Sequence, residues 1–203
     1  MLLQDKVVIV SGVGPGLGQE LAYNAAREGA RVVLAARTEA FLDEVRAKLE
    51  ASGAETLAVP TDITSREQCQ RLVQAALARF GRVDALINSA YTMGRVMRFE
   101  DADLERWQVP IKVNLFGSLQ LSQQVVAPMK AQGGGAIVMV GSITARKPMV
   151  NDTAYGASKA ALQAAARNLA LELGAYGIRV NTAMLGRWCP AILRDSASAG
   201  ASC

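Results

Sequence analysis

The sequence predicts an α/β domain built on a doubly wound parallel sheet of about six strands, with helices on both faces. Two observations carry this. Short runs rich in Val, Ile, Leu and Ala recur along the chain, and stretches with helical periodicity separate them. Uninterrupted apolar strands belong to sheets buried on both faces, and their alternation with amphipathic helices sets the strands parallel. A length of 203 residues suits one such domain, with no tandem repeat beyond the strand–helix unit itself.

The elements follow in order. "KVVIV" (6–10) reads as the first strand, and a helical pattern begins after Gly16. "ARVVLAA" (30–36) is the second strand, followed by a helical segment from Thr38 to Ser52. "ETLAVP" (55–60) is the third, followed by a helix from Ser65 to Phe80 that starts on a Ser65 cap and stops at Gly81. After the fourth strand, "VDALINS" (83–89), a helical segment from Asp103 to Gln132 contains Pro110. An interior proline removes a backbone donor, so a kink or a break is expected there, one turn before Asn114. "GAIVMVGS" (135–142), a helix beginning near Tyr155, and "IRVNTAM" (178–184) complete the pattern.

Composition narrows the function. The net charge is +4 and the isoelectric point about 9.1, but Lys and Arg are scattered among Asp and Glu. No basic block offers a nucleic-acid footprint, although a mildly basic surface attracts anionic ligands such as phosphorylated cofactors. The chain has no histidine, which excludes a Ser-His-Asp hydrolase and any imidazole-ligated metal. Another side chain must then move protons near neutral pH. Cys69, Cys189 and Cys203 are odd in number and far apart, which fits a reducing compartment rather than a disulfide framework. Asp5 and Lys6 interrupt the first apolar stretch, and no run is long enough for a membrane span; a soluble cytoplasmic protein is expected.

The glycines after the first strand give the first chemical signal. In "SGVGPGLG" (11–18), Gly12, Gly16 and Gly18 are spaced G-x-x-x-G-x-G, and Gly14 makes a second close pair with Gly16. Glycines at a helix start let backbone N–H groups approach a pyrophosphate, whose charge the helix N-terminus favours. An NAD site usually has an acidic residue at the end of the second strand; this chain has Ala36 and then Arg37. A guanidinium suits a ribose 2′-phosphate, so NADP is favoured, with NAD the alternative if Arg37 is only a solvated strand-end residue.

In "NDTAYGASKA" (151–160), Tyr155 and Lys159 stand one helical turn apart on one face. The pair is either a surface contact or a device for making phenolate near neutral pH. Five further motifs accompany it: "SGVGPGLG", "TDIT" (61–64), "INSA" (87–90), "VNLFG" (113–117) and "VGSIT" (140–144). In this order, over residues 5 to about 186, they resemble the short-chain dehydrogenase/reductase family, with its Rossmann fold.

The resemblance implies hydride transfer between a nicotinamide cofactor and a carbonyl or secondary alcohol. It makes Tyr155 the acid and base at the substrate oxygen, Lys159 the charge that favours phenolate and a partner of the nicotinamide ribose, and Ser142 the holder of the substrate oxygen. Asn114 would hold, through its backbone, a water that relays protons to the lysine. A phenol of pKa about 10 would need to drop by roughly two to three units, and a place in the first helical turn acts in the same direction as Lys159. The implied cofactor set is Ser11, Gly12, Gly14, Gly16, Leu17, Gly18, Arg37, Asp62, Ile63, Asn88, Ala90, Tyr155 and Lys159. In it Asp62 touches the adenine and Asn88 stabilises the central strand. Taken singly, Ser142 also fits a strand-ending turn, Asn114 a helix interruption and Asp62 a helix cap.

The chain departs from the family in three places. "NSAY" (88–91) puts Tyr91 where a glycine is usual, bringing a bulky ring beside the nicotinamide. Leu185 precedes Gly186 where proline is usual. After Gly186 only "RWCPAILRDSASAGASC" (187–203) follows, so the family's substrate-covering helices and seventh strand are expected to be missing and the sixth strand to have an open edge. The expected organisation is a dinucleotide-binding unit at 1–186 and an atypical, flexible tail at 187–203. Two functions stay open: an NADP(H)-dependent oxidoreductase for a small carbonyl or alcohol, and a non-catalytic cofactor-binding or regulatory relative. The resemblance also implies a homodimer or homotetramer through the fourth and fifth helices.

Overall fold

All six strands are present in the computed structural model, which describes residues 1–186. They are β1 (Val7–Ser11), β2 (Arg31–Ala36), β3 (Thr56–Pro60), β4 (Ala85–Asn88), β5 (Gly135–Ser142) and β6 (Ile178–Leu185). They form one sheet in the order β3-β2-β1-β4-β5-β6, every neighbouring pair parallel. Strand order reverses between β1 and β4, and in open sheets that reversal opens a crevice at the strands' C-terminal ends.

Successive β1 side chains enter two different cores. Val7 and Ile9 join Leu72, Leu121 and Leu162 beneath α3 (Arg66–Phe80), α5 (Ser118–Ala131) and α6 (Thr153–Gly174). Val8 and Val10 join Ala22, Leu42 and Val45 beneath α1 (Leu17–Arg27) and α2 (Glu39–Ala51). Burial on both faces is why the strand reads as an unbroken apolar run. Ser65 caps α3 by accepting from the Gln68 amide, and Gly81 ends it in the left-handed conformation.

The segment is interrupted near Pro110 as expected, but Pro110 itself is not in a helix interior. Leu104–Trp107 is a separate 3-10 turn, and the helix starts at Gln108 with α4 (Gln108–Pro110). Pro110 therefore lies in the first turn, where its missing amide has no helical partner to lose. The irregularity comes just after it. Ile111–Gly117 is wound as a π-helix before α5 begins, and Asn114 sits at the middle of that wide turn.

In β6, Ile178 and Val180 are buried while Arg179 and Asn181 are exposed, and β5 is its only strand partner among the described residues. The tail at 187–203 lies outside the described residues. No described helix is long and apolar enough to cross a membrane.

Candidate active site

A cleft of about 940 Å³ opens across the C-terminal ends of the strands. The loop between β1 and α1 forms one wall, and glycine is required at several of its positions for different reasons. A Cβ on Gly12 would lie 2.3 Å from the Ala90 nitrogen, and one on Gly18 would lie 2.0 Å from the Gly12 carbonyl oxygen. Gly16 has φ +105, a conformation that side chains rarely adopt, and caps α1 with no side-chain hydrogen bond. Gly14 differs: it lines the cleft, and a Cβ there would meet nothing within 4 Å. Close backbone, a free helix start and open space together fit the pyrophosphate of a dinucleotide.

At one end of the cleft stands Asp62, whose carboxylate accepts from the amide and the hydroxyl of Thr64, both at 2.8 Å. Burial disfavours its charge, but the Thr64 bonds, with Arg37 and Lys112 nearby, outweigh this and hold it below the ordinary value. Arg37, exposed at the end of β2, and Lys112, on the π-helix, both line this end. Lys112 had no sequence signal, because only the fold brings residue 112 beside residue 37.

At the other end, the sequence-predicted residues Ser142, Tyr155 and Lys159 meet. Ser142 closes β5, and its hydroxyl oxygen accepts from the Thr144 hydroxyl at 2.9 Å and the Thr144 amide at 3.3 Å. Thr144, the last residue of "VGSIT", thus fixes the serine. Lys159 is 2% exposed and donates to the Val140 carbonyl at 2.7 Å. Burial pulls its pKa down to about 8.

The phenol does not follow the expectation of a lowered pKa. Burial pushes Tyr155 above its ordinary value; the Ser142 hydroxyl pulls it back in part, and Tyr91 and Asp152 push it further up. The Lys159 nitrogen lies 5.8 Å from the centre of the Tyr155 ring, hydrogen-bonded to the backbone of β5 rather than to the phenol oxygen.

A sequence profile of the short chain dehydrogenases matches residues 6–198. The chain belongs to that family. An uncharacterized oxidoreductase of Staphylococcus aureus strain USA300 is 34% identical over 181 residues, covering 89% of this chain and 77% of that one. The crystal structure of an NAD+-bound xylitol dehydrogenase superposes with a TM-score of 0.91 at 29% identity, over 95% of this chain and 74% of that one. A 7α-hydroxysteroid dehydrogenase complexed with NADH and 7-oxo glycochenodeoxycholic acid gives 0.85 at 34% identity, over 89% and 70%. Family and fold make this short chain dehydrogenase a hydride-transferring oxidoreductase.

Three predicted residues stand behind the cleft wall of this short chain dehydrogenase rather than in it. Ser11 and Asn88 are buried on the paired ends of β1 and β4, and neither the Ser11 hydroxyl nor the Asn88 carbonyl oxygen has a hydrogen-bond partner among the described residues. The Asn88 amide donates to the Ser122 hydroxyl at 2.9 Å, tying β4 to α5. Asn114 is fully buried; its side chain accepts from the Thr92 amide at 2.8 Å and donates to the Thr92 carbonyl and the Ser158 hydroxyl, each at 2.9 Å. Ser158 passes the contact on to the Tyr155 carbonyl at 2.7 Å. Thr92 and Ser158 had no role readable from sequence, although Ser158 lies within "NDTAYGASKA".

Proposed function

We propose that this short chain dehydrogenase reduces a small apolar carbonyl compound with NADPH, and oxidises the corresponding secondary alcohol in reverse. The observation that supports this most is the meeting of Ser142, Tyr155 and Lys159 in the same cleft as the glycine loop. The bound cofactor supplies or accepts the hydride; the chain supplies position and the proton. With its pKa raised, Tyr155 keeps its proton at neutral pH, the state an acid needs to protonate a developing alkoxide. Ser142, its oxygen occupied by Thr144, has one proton, which acts on the Tyr155 phenol and would turn to the substrate oxygen when that is bound. Lys159, pinned to Val140, holds positive charge beneath the reacting groups, and Asn114 anchors the loop on the facing side. Tyr91, Met93, Val109 and Met149 line the cleft and suit an apolar substrate.

NADP rather than NAD is read from Arg37, with Lys112 as a second cation at that end; Asp62 would meet the adenine. Exposed Phe116 on the π-helix and Leu171 on α6 suit a homo-oligomer through these helices, and a cytoplasmic location remains part of the proposal. The test begins with separate titrations of the protein with NADPH and NADH by nicotinamide fluorescence, followed by a carbonyl panel. Tyr155→Phe is expected to retain NADPH binding and lose about 10²–10⁴-fold in turnover. Binding of NADPH without reduction of any carbonyl would favour the non-catalytic reading, and normal turnover in Tyr155→Phe would remove the tyrosine from the mechanism.

A further inference from the structure

Tyr91 is 60% exposed, yet it is held on both sides. Before it, Ala90 packs against Gly12 so closely that no Cβ fits between them. After it, Thr92 is gripped through both its amide and its carbonyl by Asn114. So placed, the Tyr91 ring meets the Tyr155 ring edge-on, with centres 6.3 Å apart and planes at 61°. The Lys159 nitrogen lies 5.9 Å from the Tyr91 centre and 5.8 Å from the Tyr155 centre.

The buried ammonium thus faces two neighbouring aromatic rings on the same side. Its other contacts are sparse. From β5 it has the Val140 carbonyl, and among the described residues no carboxylate forms a salt bridge with it. Asp152, at the start of α6, acts on Tyr155, while Arg37 and Lys112 act on Asp62 at the other end of the cleft; burial is what acts on Lys159 itself. We infer that Tyr91 is a positioning residue of this site: its ring sets a second aromatic group beside that of Tyr155 for the Lys159 ammonium and braces the Tyr155 ring. A ring's negative face attracts a cation within about 6 Å, and edge-to-face aromatic pairs hold one another's orientation. The inference rests on the reading of Tyr155 and Lys159 as the proton-handling pair.

Its test needs neither cofactor nor substrate. The full chain, made with ¹³C-lysine, contains six lysines, and Lys159→Arg identifies the Lys159 signal. The Lys159 Cε resonance is then followed against pH in wild type, Tyr91→Phe and Tyr91→Leu. Wild type and Phe are expected to titrate together near pH 8, and Leu lower by about half a pH unit, the size of one partly exposed cation–ring contact. Coincidence of Leu with wild type, or a shift in Phe equal to that in Leu, overturns the contact between the Tyr91 ring and the ammonium. Tyr91→Met, similar in bulk and without a ring, serves if Leu does not fold and is expected to shift in the same direction. If the protein neither binds NADPH nor oxidises it with a carbonyl, the proposed function falls while the lysine titration still decides the role of Tyr91. If it does turn over, the alkaline limb of its pH–rate profile moves down in Leu by the same interval.

Discussion

Lys159 is a lysine taken out of water without a carboxylate partner among the described residues, so its charge works against folding. A folded-state pKa of about 8 against an unfolded 10.5 means that the unfolded chain binds more protons between those values. The penalty is therefore fully present below pH 8, about 3 kcal/mol at the outside, and fades as pH rises toward 10.5. Lys159→Met, which keeps the stem and removes the charge, is expected to be more stable than wild type by about 1–3 kcal/mol at pH 7 and to lose turnover. Urea melts at pH 7 and near pH 10 check this: the gap should shrink at the higher pH, and a gap independent of pH would show that the ammonium is not the strained group. The spacing of Tyr155 and Lys159 drew attention to the pair, and only the five accompanying motifs gave it a role. The direction of the phenol's shift was not legible, because it depends on burial and on where the lysine nitrogen points, and neither leaves a mark in the local sequence.

Among the elements, the β1–α1 loop shows how one glycine-rich string carries different constraints. Gly18 is needed for packing, since its Cβ would strike the Gly12 carbonyl, whereas Gly14 has room for one. Gly18→Ala is expected to lower the melting temperature by roughly 5–10 °C, through about 2–3 kcal/mol of forced backbone movement. Gly14→Ala should melt within about 2 °C of wild type and yet bind NADPH roughly tenfold more weakly, because Gly14 lines the cleft where the pyrophosphate is proposed to lie. Thermal melts beside fluorescence titrations separate the two; equal loss of stability would put Gly14 in the fold rather than in the site. The spacing of the glycines pointed to the loop, but not to which glycine serves packing and which the ligand. The fourth helix shows the same limit: Pro110 signalled a disturbance correctly placed near Asn114, but the helix start at Gln108 and the π-turn that aims Asn114 at Thr92 are settled by tertiary contacts.

Across the whole molecule, the parallel order was readable because each strand's burial on two faces shows in its composition, whereas the cleft gathers residues from six separate strand ends and could only be assembled by the fold. Lys112 is the clearest instance. It lies far from Arg37 in sequence, but both act on Asp62, so any preference for a phosphorylated ribose belongs to the pair rather than to Arg37 alone. A ligand that binds only the folded protein stabilises all of it: NADPH at a hundred times its Kd adds about 2.7 kcal/mol, or roughly 5–11 °C in melting temperature at this size. Arg37→Ala, losing one charge-assisted bond and about tenfold in affinity, is expected to retain about half of that NADPH shift at the same concentration and all of any NADH shift. The double variant Arg37→Ala/Lys112→Ala should bring the two nucleotides level. Thermal shifts measured with both nucleotides on all three proteins decide the matter. Equal shifts in wild type would make Arg37 and Lys112 bystanders and leave no nucleotide preference, and an unchanged NADPH shift in the double variant would place the phosphate-reading group elsewhere in the cleft.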